Sequence, residues 1–164
     1  MNRTMDLNSC IRDSAEPPVP IRSRRVLVAD DDEGIRYLIA TVLAGTGINV
    51  NTVSDGQQAW EALHHEHYDL LITDNEMPRL TGIELIERIR DEGMHLPIII
   101  ASGSFPMEKV RDKPELQIAT VLPKPFRILE LLNAVRLVFQ APSGNFTADQ
   151  QAPHRRCVNP QPIR

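Results

Sequence analysis

The sequence predicts a doubly wound α/β fold, in which helices cover both faces of a five-stranded parallel sheet with strand order 2-1-3-4-5. Short apolar runs alternate with longer amphipathic segments throughout residues 25–140, and this alternation is typical of right-handed βαβ units. One predicted strand, at residues 48–53, alternates polar and apolar side chains. Such a strand is exposed on one side, so we expect this second strand at an edge of the sheet.

The other strands are predicted from apolar runs, as expected of strands that are buried on both faces of a parallel sheet. The central run, at residues 70–72, leads into Asp74 and then into a loop marked by Pro78 and Gly82. The remaining runs predict strands at residues 25–30, 97–101 and 118–122.

Each predicted strand is followed by a segment with apolar side chains at helical spacing. The acidic run at residues 30–33 starts the first helix, with Asp32 as its N-cap. The segment at 106–116 gives the poorest signal, because Pro114 forbids a regular helix interior. The inward-facing positions expected in the other helices are Ile35, Leu38, Ile39, Val42, Leu43, Ala59, Trp60, Leu63, Ile83, Leu85, Ile86, Ile89, Ile128, Leu131, Leu132, Val135, Val138 and Phe139.

The 164 residues suit one domain, at residues 25–140, between two tails that we expect to be flexible, at 1–24 and 141–164. The mild net charge of −4 does not point to direct nucleic-acid binding. No apolar run approaches the roughly 20 residues of a membrane helix, and the N-terminus lacks a signal-peptide core, so we expect a cytoplasmic protein. Two tail cysteines, Cys10 and Cys157, do not make a disulfide framework.

Three histidines, His64, His65 and His67, stand at the end of the second predicted helix. A metal cluster is one interpretation of this group. Histidine at a helix C-terminus also complements the helix dipole without a metal, and only Glu66 offers a neighbouring acidic ligand. We therefore favour the helix-terminal interpretation.

Charged and hydroxyl side chains follow four of the predicted strands at the point where each strand ends. Asp30 and Asp31 follow the first strand, Asp74 the third, Ser102 the fourth and Lys124 the fifth. In the flavodoxin-like (βα)5 order, these carboxyl ends open onto one crevice beside strands one and three. We therefore expect the five side chains to lie close together.

The three acids at this edge repel one another and are most easily kept ionised around a cation. Mg²⁺ prefers oxygen ligands and needs only a few protein groups, because it keeps several waters. A metal beside a carboxylate can orient a phosphoryl group for attack by that carboxylate. The phosphoryl oxygens would then be stabilised by the Lys124 ammonium and the Ser102 hydroxyl.

The chain closely resembles the receiver domain of two-component response regulators, of the CheY-like type, over about residues 25–140. The resemblance rests on four segments in order: residues 26–32 (VLVADDD), residues 74–78 (DNEMP) with Gly82, residues 101–103 (ASG) and residues 122–126 (LPKPF). Each segment alone is a weak signal, but all four at this spacing are highly specific.

The resemblance implies that Asp74 accepts a phosphoryl group from a histidine kinase or a phosphotransfer protein. It implies that Asp31, Asp74 and the backbone carbonyl of Glu76 bind Mg²⁺ directly, and that Asp30 acts mainly through a metal-bound water. Slow self-dephosphorylation is then the most turnover expected.

By the same resemblance, Ser102 would move to hydrogen-bond the phosphoryl group and Lys124 would pair with it. In this family the peptide bond that corresponds to Lys124–Pro125 is usually cis. The expectation of a cis bond rests on the resemblance, because only about 5–6% of X–Pro bonds are cis.

The chain departs from the family at Val121, where most members carry an aromatic residue whose rotation signals phosphorylation. Only a short tail follows the last predicted helix, too few residues for an output domain. The expectation is a stand-alone receiver, or a piece of a larger protein, that acts by binding a downstream protein which the sequence does not identify.

Two other functions fit parts of the pattern. Haloacid-dehalogenase-type phosphatases also combine a nucleophilic Asp with Mg²⁺ and a Lys, but they carry the nucleophile on the first strand, whereas Asp74 follows the third. A pure interaction module with a receiver fold is the other alternative, and its support is Val121 together with the poor helix signal around Pro114.

Overall fold

The computed structural model of the chain describes residues 24–103 and 113–141. Within these residues, five parallel strands form one sheet of order β2-β1-β3-β4-β5, which confirms the predicted topology. The strands are β1 (Arg25–Ala29), β2 (Asn49–Val53), β3 (Leu70–Thr73), β4 (Ile98–Ser102) and β5 (Thr120–Pro123).

The same residues contain four α-helices: α1 (Glu33–Ala44), α2 (Gly56–His65), α3 (Gly82–Asp91) and α4 (Ile128–Gln140). None of them is both long and apolar enough to cross a bilayer. The helix predicted at 106–116 falls largely outside the described residues. Its described end forms only a 3₁₀ turn, Pro114–Leu116.

The tails predicted at 1–24 and 141–164 also fall outside the described residues, apart from Arg24 and Ala141. Cys10 and Cys157 belong to those tails, so the structure describes neither thiol.

The sheet separates two apolar clusters, because successive strand residues point to opposite faces. In β1, Leu27 and Ala29 pack with α2 and α3, whereas Val26 and Val28 pack with α1 and α4. β1, β3 and β4 are buried between these layers. β2 is only partly buried, which agrees with its polar and apolar alternation and its edge position.

Two of the predicted inward-facing residues are exposed, and the prediction is wrong for them. Leu38 on α1 is 40% exposed because the buried stripe of that helix passes through its neighbour Ile39 and through Leu43. Ile128 is 48% exposed because it begins α4, one turn before the first buried residue of that helix, Leu131. The helical period was therefore right, but each apolar stripe is narrower than expected.

Side-chain caps start three helices directly after the loops at the carboxyl edge of the sheet. Asp32 accepts a hydrogen bond from Ile35 N at the start of α1, as predicted. Asp55 caps α2 in the same way, and Thr81 forms a reciprocal capping box with Glu84 at α3. These caps hold the helix starts beside the strand ends, where the polar side chains converge.

Candidate functional site

Three carboxylates meet at the carboxyl edge of the sheet. Asp30, Asp31 and Asp74 each present an oxygen within 4.8 Å of the other two. The convergence follows from the register of β1 and β3, in which Ala29 is paired with Thr73, so that the next residues of the two strands come side by side. Asp30 and Asp74 are buried, whereas Asp31 is exposed at the mouth of the site.

Lys124 brings a positive charge to these acids. Its Nζ donates a hydrogen bond of 2.7 Å to Asp30 Oδ2 and lies 3.0 Å from Asp74 Oδ2. The backbone N–H of Lys124 donates to the Ser102 carbonyl at 2.9 Å, which ties the residue to the end of β4. The Lys124–Pro125 peptide bond is cis.

Burial, hydrogen bonds and neighbouring charges together shift the pKa values of Asp30 and Lys124. Burial raises the pKa of Asp30, against the lowering effects of its hydrogen bonds from Lys124 and from the Asp32 N–H, and the Asp74 charge raises it further. For Lys124, burial lowers the pKa, but the hydrogen bonds to Asp30 and Asp74 outweigh burial, so its pKa is raised. Lys124 is therefore a firmly protonated ammonium at neutral pH.

Backbone N–H groups orient the two buried carboxylates. Asp32 N donates to Asp30 Oδ1 at 2.9 Å, and Asn75 N donates to Asp74 Oδ1 at 2.6 Å. The Arg36 guanidinium, from the first turn of α1, donates to the Asp30 carbonyl at 2.6 Å. Arg36 was not predicted as part of the site, because a side-chain contact to a backbone carbonyl leaves no pattern in the sequence.

Ser102 ends β4 with a buried hydroxyl that has no hydrogen-bond partner among the described residues. Leaving a buried polar group unpaired costs about 1–3 kcal/mol. A hydroxyl kept at such a cost beside a polar site is available to a ligand or a water. The geometry thus leaves a donor for an incoming oxygen at the end of the strand next to β3.

The other predicted site residues flank this centre. Glu76 follows Asp74 by two residues, with its side chain exposed. Val121 is half-buried on β5 and packs against the apolar cluster under α2 and α3. The position at which most family members carry an aromatic residue is therefore occupied by an aliphatic side chain, as the sequence shows.

Gly82 holds the loop at residues 75–81 against Asp74. A Cβ atom at Gly82 would lie 2.2 Å from the Asp74 carbonyl oxygen, so no other residue fits without moving the backbone. The Gly82 N–H also donates to the Asn75 carbonyl at 3.1 Å. From the sequence, Gly82 was predicted to lie in a loop and was counted in the receiver-domain motif, and the structure shows that it allows the close approach of two backbones.

The site has the composition that Mg²⁺ needs. Its donors are carboxylate oxygens, and three carboxylates face a single ammonium, so the site carries an excess of negative charge. Hard divalent ions bind such oxygen sets with few protein ligands. Among the described residues, no other group of acidic, histidine or cysteine side chains meets this geometry.

The histidines at the end of α2 do not form a comparable group. His64 Nδ1 lies 2.8 Å from the Trp60 carbonyl oxygen, and its Nε2 lies 2.9 Å from Glu92 Oε2. Both ring nitrogens thus have protein partners. This arrangement agrees with the helix-terminal interpretation of these residues.

Comparison with protein families and curated proteins gives consistent matches. Residues 26–136 match the family model of the response regulator receiver domain. The response regulator receiver protein CpdR of Brucella abortus (strain 2308) is 33% identical over 112 residues, which cover 68% of this chain and 93% of CpdR. The 3',5'-cyclic-nucleotide phosphodiesterase regA of Dictyostelium discoideum is 40% identical over 84 residues, which cover 49% of this chain but only 11% of regA.

Solved structures show the same similarity. The receiver domain of the Francisella response regulator 1452 superposes with a TM-score of 0.66 at 33% identity, covering 71% of this chain and 96% of that domain. The response regulator TrrA of Thermotoga maritima, solved in complex with Mg(2+)-BeF, has a TM-score of 0.61 at 28% identity, covering 70% of this chain and 98% of TrrA.

Proposed function

The chain belongs to the response regulator receiver family of two-component signalling, and from that premise we propose that Asp74 accepts a phosphoryl group in a Mg²⁺-dependent reaction. The donor is a histidine kinase or a phosphotransfer protein. The observation that carries the proposal is the convergence of Asp30, Asp31 and Asp74 with Lys124 at one edge of the sheet. Receiver domains of this family act as phosphoacceptors, and phosphoaspartate and Mg²⁺ are general features of them.

The metal would be held by Asp31, by Asp74 and by the backbone carbonyl of Glu76, with Asp30 contributing through a metal-bound water. When bound, Mg²⁺ supplies positive charge to the phosphoryl oxygens. The excess negative charge of the site supports this assignment, as does the TrrA relative that was solved with Mg(2+)-BeF.

Asp74 is held ready for attack by contacts to both of its oxygens. Asn75 N fixes Oδ1 at 2.6 Å, and Lys124 faces Oδ2 at 3.0 Å. A carboxylate oxygen of Asp74 forms the new bond to phosphorus while the N–P bond of the donor phosphohistidine breaks. The bonding electron pair returns to the ring nitrogen, and a donor ring that is protonated on its other nitrogen leaves as neutral imidazole.

The phosphorylated Asp74 carries more negative charge than the carboxylate that it replaces. Lys124 pairs with a phosphoryl oxygen, and the Ser102 hydroxyl donates a hydrogen bond to another. The buried and unpaired state of Ser102 Oγ among the described residues supports this role, because the phosphoryl oxygen would supply its missing partner.

Output runs through the binding of a downstream protein, and phosphorylation changes that binding. The CpdR relative, of which this chain covers 93%, is itself named a response regulator receiver protein. Val121 offers no aromatic ring to rotate, so the change at the surface originates from Ser102 and Lys124. Slow self-dephosphorylation is the only turnover that we propose. A haloacid-dehalogenase-type phosphatase would require its nucleophile on the first strand, whereas the acceptor Asp74 follows the third strand.

The proposal is tested by incubating the protein with Mg²⁺ and acetyl phosphate and measuring its intact mass. We expect one added phosphoryl group that is stable in acid and labile in base, in the wild type and in the control Asp91→Asn, which changes an exposed acid at the end of α3. Asp74→Asn should add none. The same uptake by Asp74→Asn would contradict the assignment, and turnover of a chromogenic phosphate ester would favour a phosphatase.

A further inference from the structure

A third buried carboxylate, outside the acid cluster, lies at the same edge of the sheet as Asp30 and Asp74. Asp55 follows β2 and is fully buried. It accepts hydrogen bonds from Gln58 N at 2.9 Å and from Gln58 Nε2 at 2.7 Å. These donors account for its capping role at α2, but they do not neutralise its charge. A buried carboxylate without a cation is costly.

The cation that neutralises Asp55 is Arg79, from the loop that follows Asp74. Arg79 has φ of +67°, in the left-handed region that non-glycine residues rarely adopt. Such a conformation costs roughly 1–2 kcal/mol for a residue with a Cβ atom. A glycine would adopt this positive φ without strain. Arg79 has a Cβ atom, and its ion pair with Asp55 offsets the conformational cost.

The backbone of the same loop rests directly on the start of α2. A Cβ atom at Gly56, the first residue of α2, would lie 2.2 Å from the Leu80 carbonyl oxygen. Leu80 and Met77 from this loop are buried in the cluster under α2 and α3. Residues 75–81 are therefore held at three points: Gly82 against Asp74, Leu80 against Gly56, and Arg79 against Asp55.

We propose that Arg79 is a positioning residue, whose ion pair with Asp55 holds the loop at residues 75–81 so that the Glu76 carbonyl faces the metal. The inference rests on the proposed function, because it concerns the Mg²⁺ ligand that the loop supplies. Arg79 stands three residues after Glu76. Its ion pair and its backbone conformation both restrict the course of the main chain between Glu76 and Arg79. Arg79 itself touches neither the metal nor the phosphoryl group.

The test is a calorimetric titration of Mg²⁺ into the whole protein without any phosphodonor. Arg79→Gln removes the guanidinium charge, and we expect Mg²⁺ affinity to fall about tenfold, as is typical when an outer partner of a metal ligand is lost. Arg79→Lys keeps a cation and should recover part of the affinity. The matched control is Arg24→Gln, which breaks an Arg–Asp pair with Asp69 at the opposite end of β1 and should leave Mg²⁺ binding unchanged.

Arg79→Gly separates the ion pair from the backbone strain, because glycine adopts a positive φ freely and the variant is expected to fold. We expect it to bind Mg²⁺ as weakly as Arg79→Gln and to show faster hydrogen exchange at the amides of residues 75–80. Wild-type affinity and exchange in both variants would overturn the proposal and leave the ion pair a purely structural contact. Wild-type protein that binds Mg²⁺ but takes no phosphoryl group from acetyl phosphate would refute the proposed function, while the titration would still decide the role of Arg79.

Discussion

Lys124 donates a hydrogen bond of 2.7 Å to Asp30 across 94 residues of sequence. The ammonium also lies 3.0 Å from Asp74, so it occupies the same cluster of carboxylates that would attract a divalent cation. Two positive charges drawn to one set of acids repel each other. Lys124 thus favours a phosphoryl group at the site but opposes the metal when no phosphoryl group is present.

Lys124→Gln is predicted to tighten Mg²⁺ binding about fivefold, which corresponds to roughly 1 kcal/mol of relieved repulsion. In the phosphorylated form of this variant, the phosphoryl group on Asp74 should lose its ion pair with the ammonium of residue Lys124. Isothermal titration calorimetry measures the Mg²⁺ affinity. Lys113→Gln is the control, because it removes a surface lysine that pairs with Glu87 away from the acids. Weaker Mg²⁺ binding by Lys124→Gln would show that the lysine organises the acids rather than competing with the metal.

Asp31→Asn is predicted to stabilise the protein without Mg²⁺ and to remove its stabilisation by Mg²⁺. The exposed Asp31 carboxylate lies within 4.8 Å of two others, so its neutralisation relieves like-charge repulsion and removes a direct metal ligand. We expect Tm in a chelator to rise by about 2–4 °C. Thermal unfolding with and without MgCl₂ measures both effects, with Asp91→Asn as the control. A full Mg²⁺-dependent rise in Asp31→Asn would count against its role as a ligand.

Arg90 is predicted to be a major stabiliser of the fold at the far end of α3. Its guanidinium donates to the carbonyls of Met94, Leu96, Leu116 and Gln117, at 2.6 to 3.2 Å. Arg90→Gln should lower the free energy of unfolding by about 2–3 kcal/mol, because several carbonyls lose a charged donor. Urea denaturation measures this change. Arg88→Gln, two residues away and exposed, should change it by less than about 0.5 kcal/mol, and equal effects of the two variants would refute the prediction.

The capping box of α3 predicts a specific pH dependence. The hydrogen bonds from the Thr81 backbone and then from its hydroxyl lower the pKa of Glu84 from its ordinary value of 4.5. Because the folded-state pKa lies below the unfolded one, this stabilisation is complete above pH 4.5 and is lost as the pH falls through the folded-state value.

Glu84→Gln should therefore lower Tm most at neutral pH, with the difference from wild type shrinking on acidification. Thermal unfolding between about pH 7 and about pH 3 measures this trend. Glu33→Gln is the control, because Glu33 also stands in a first helical turn, that of α1. A difference between Glu84→Gln and wild type that does not change with pH would mean that the ionised carboxylate contributes nothing to the cap.

Much of the fold was predictable because periodicity reports which side of an element is buried. The apolar runs of β1, β3 and β4 and the alternating β2 were sufficient for the strand order. The same reasoning failed at Leu38 and Ile128, since the width of a buried stripe depends on how closely neighbouring elements approach. The sequence of a single helix does not contain that information.

The candidate site was predictable from the residues that follow the strands, because parallel strands bring their carboxyl ends to one edge. On this basis, Asp30, Asp31, Asp74, Ser102 and Lys124 were assigned to one crevice. The contacts of Arg36 with the Asp30 carbonyl and of Arg79 with Asp55 were not foreseen. In both contacts, the position of one partner depends on the conformation of a loop, which the sequence pattern does not report.

By itself, the sequence determined the class of the sheet, its strand order and the acids and lysine at its edge, because burial and strand ends follow from local patterns. Only the tertiary structure decided that Arg79 adopts a left-handed backbone and pairs with Asp55, and that Gly56 and Gly82 lie against the loop at residues 75–81. The contacts of this loop with Asp55 and Gly56 depend on distances between segments that are separated by more than 20 residues of sequence. Such distances are set when the helices pack onto the sheet, and local propensity does not encode them.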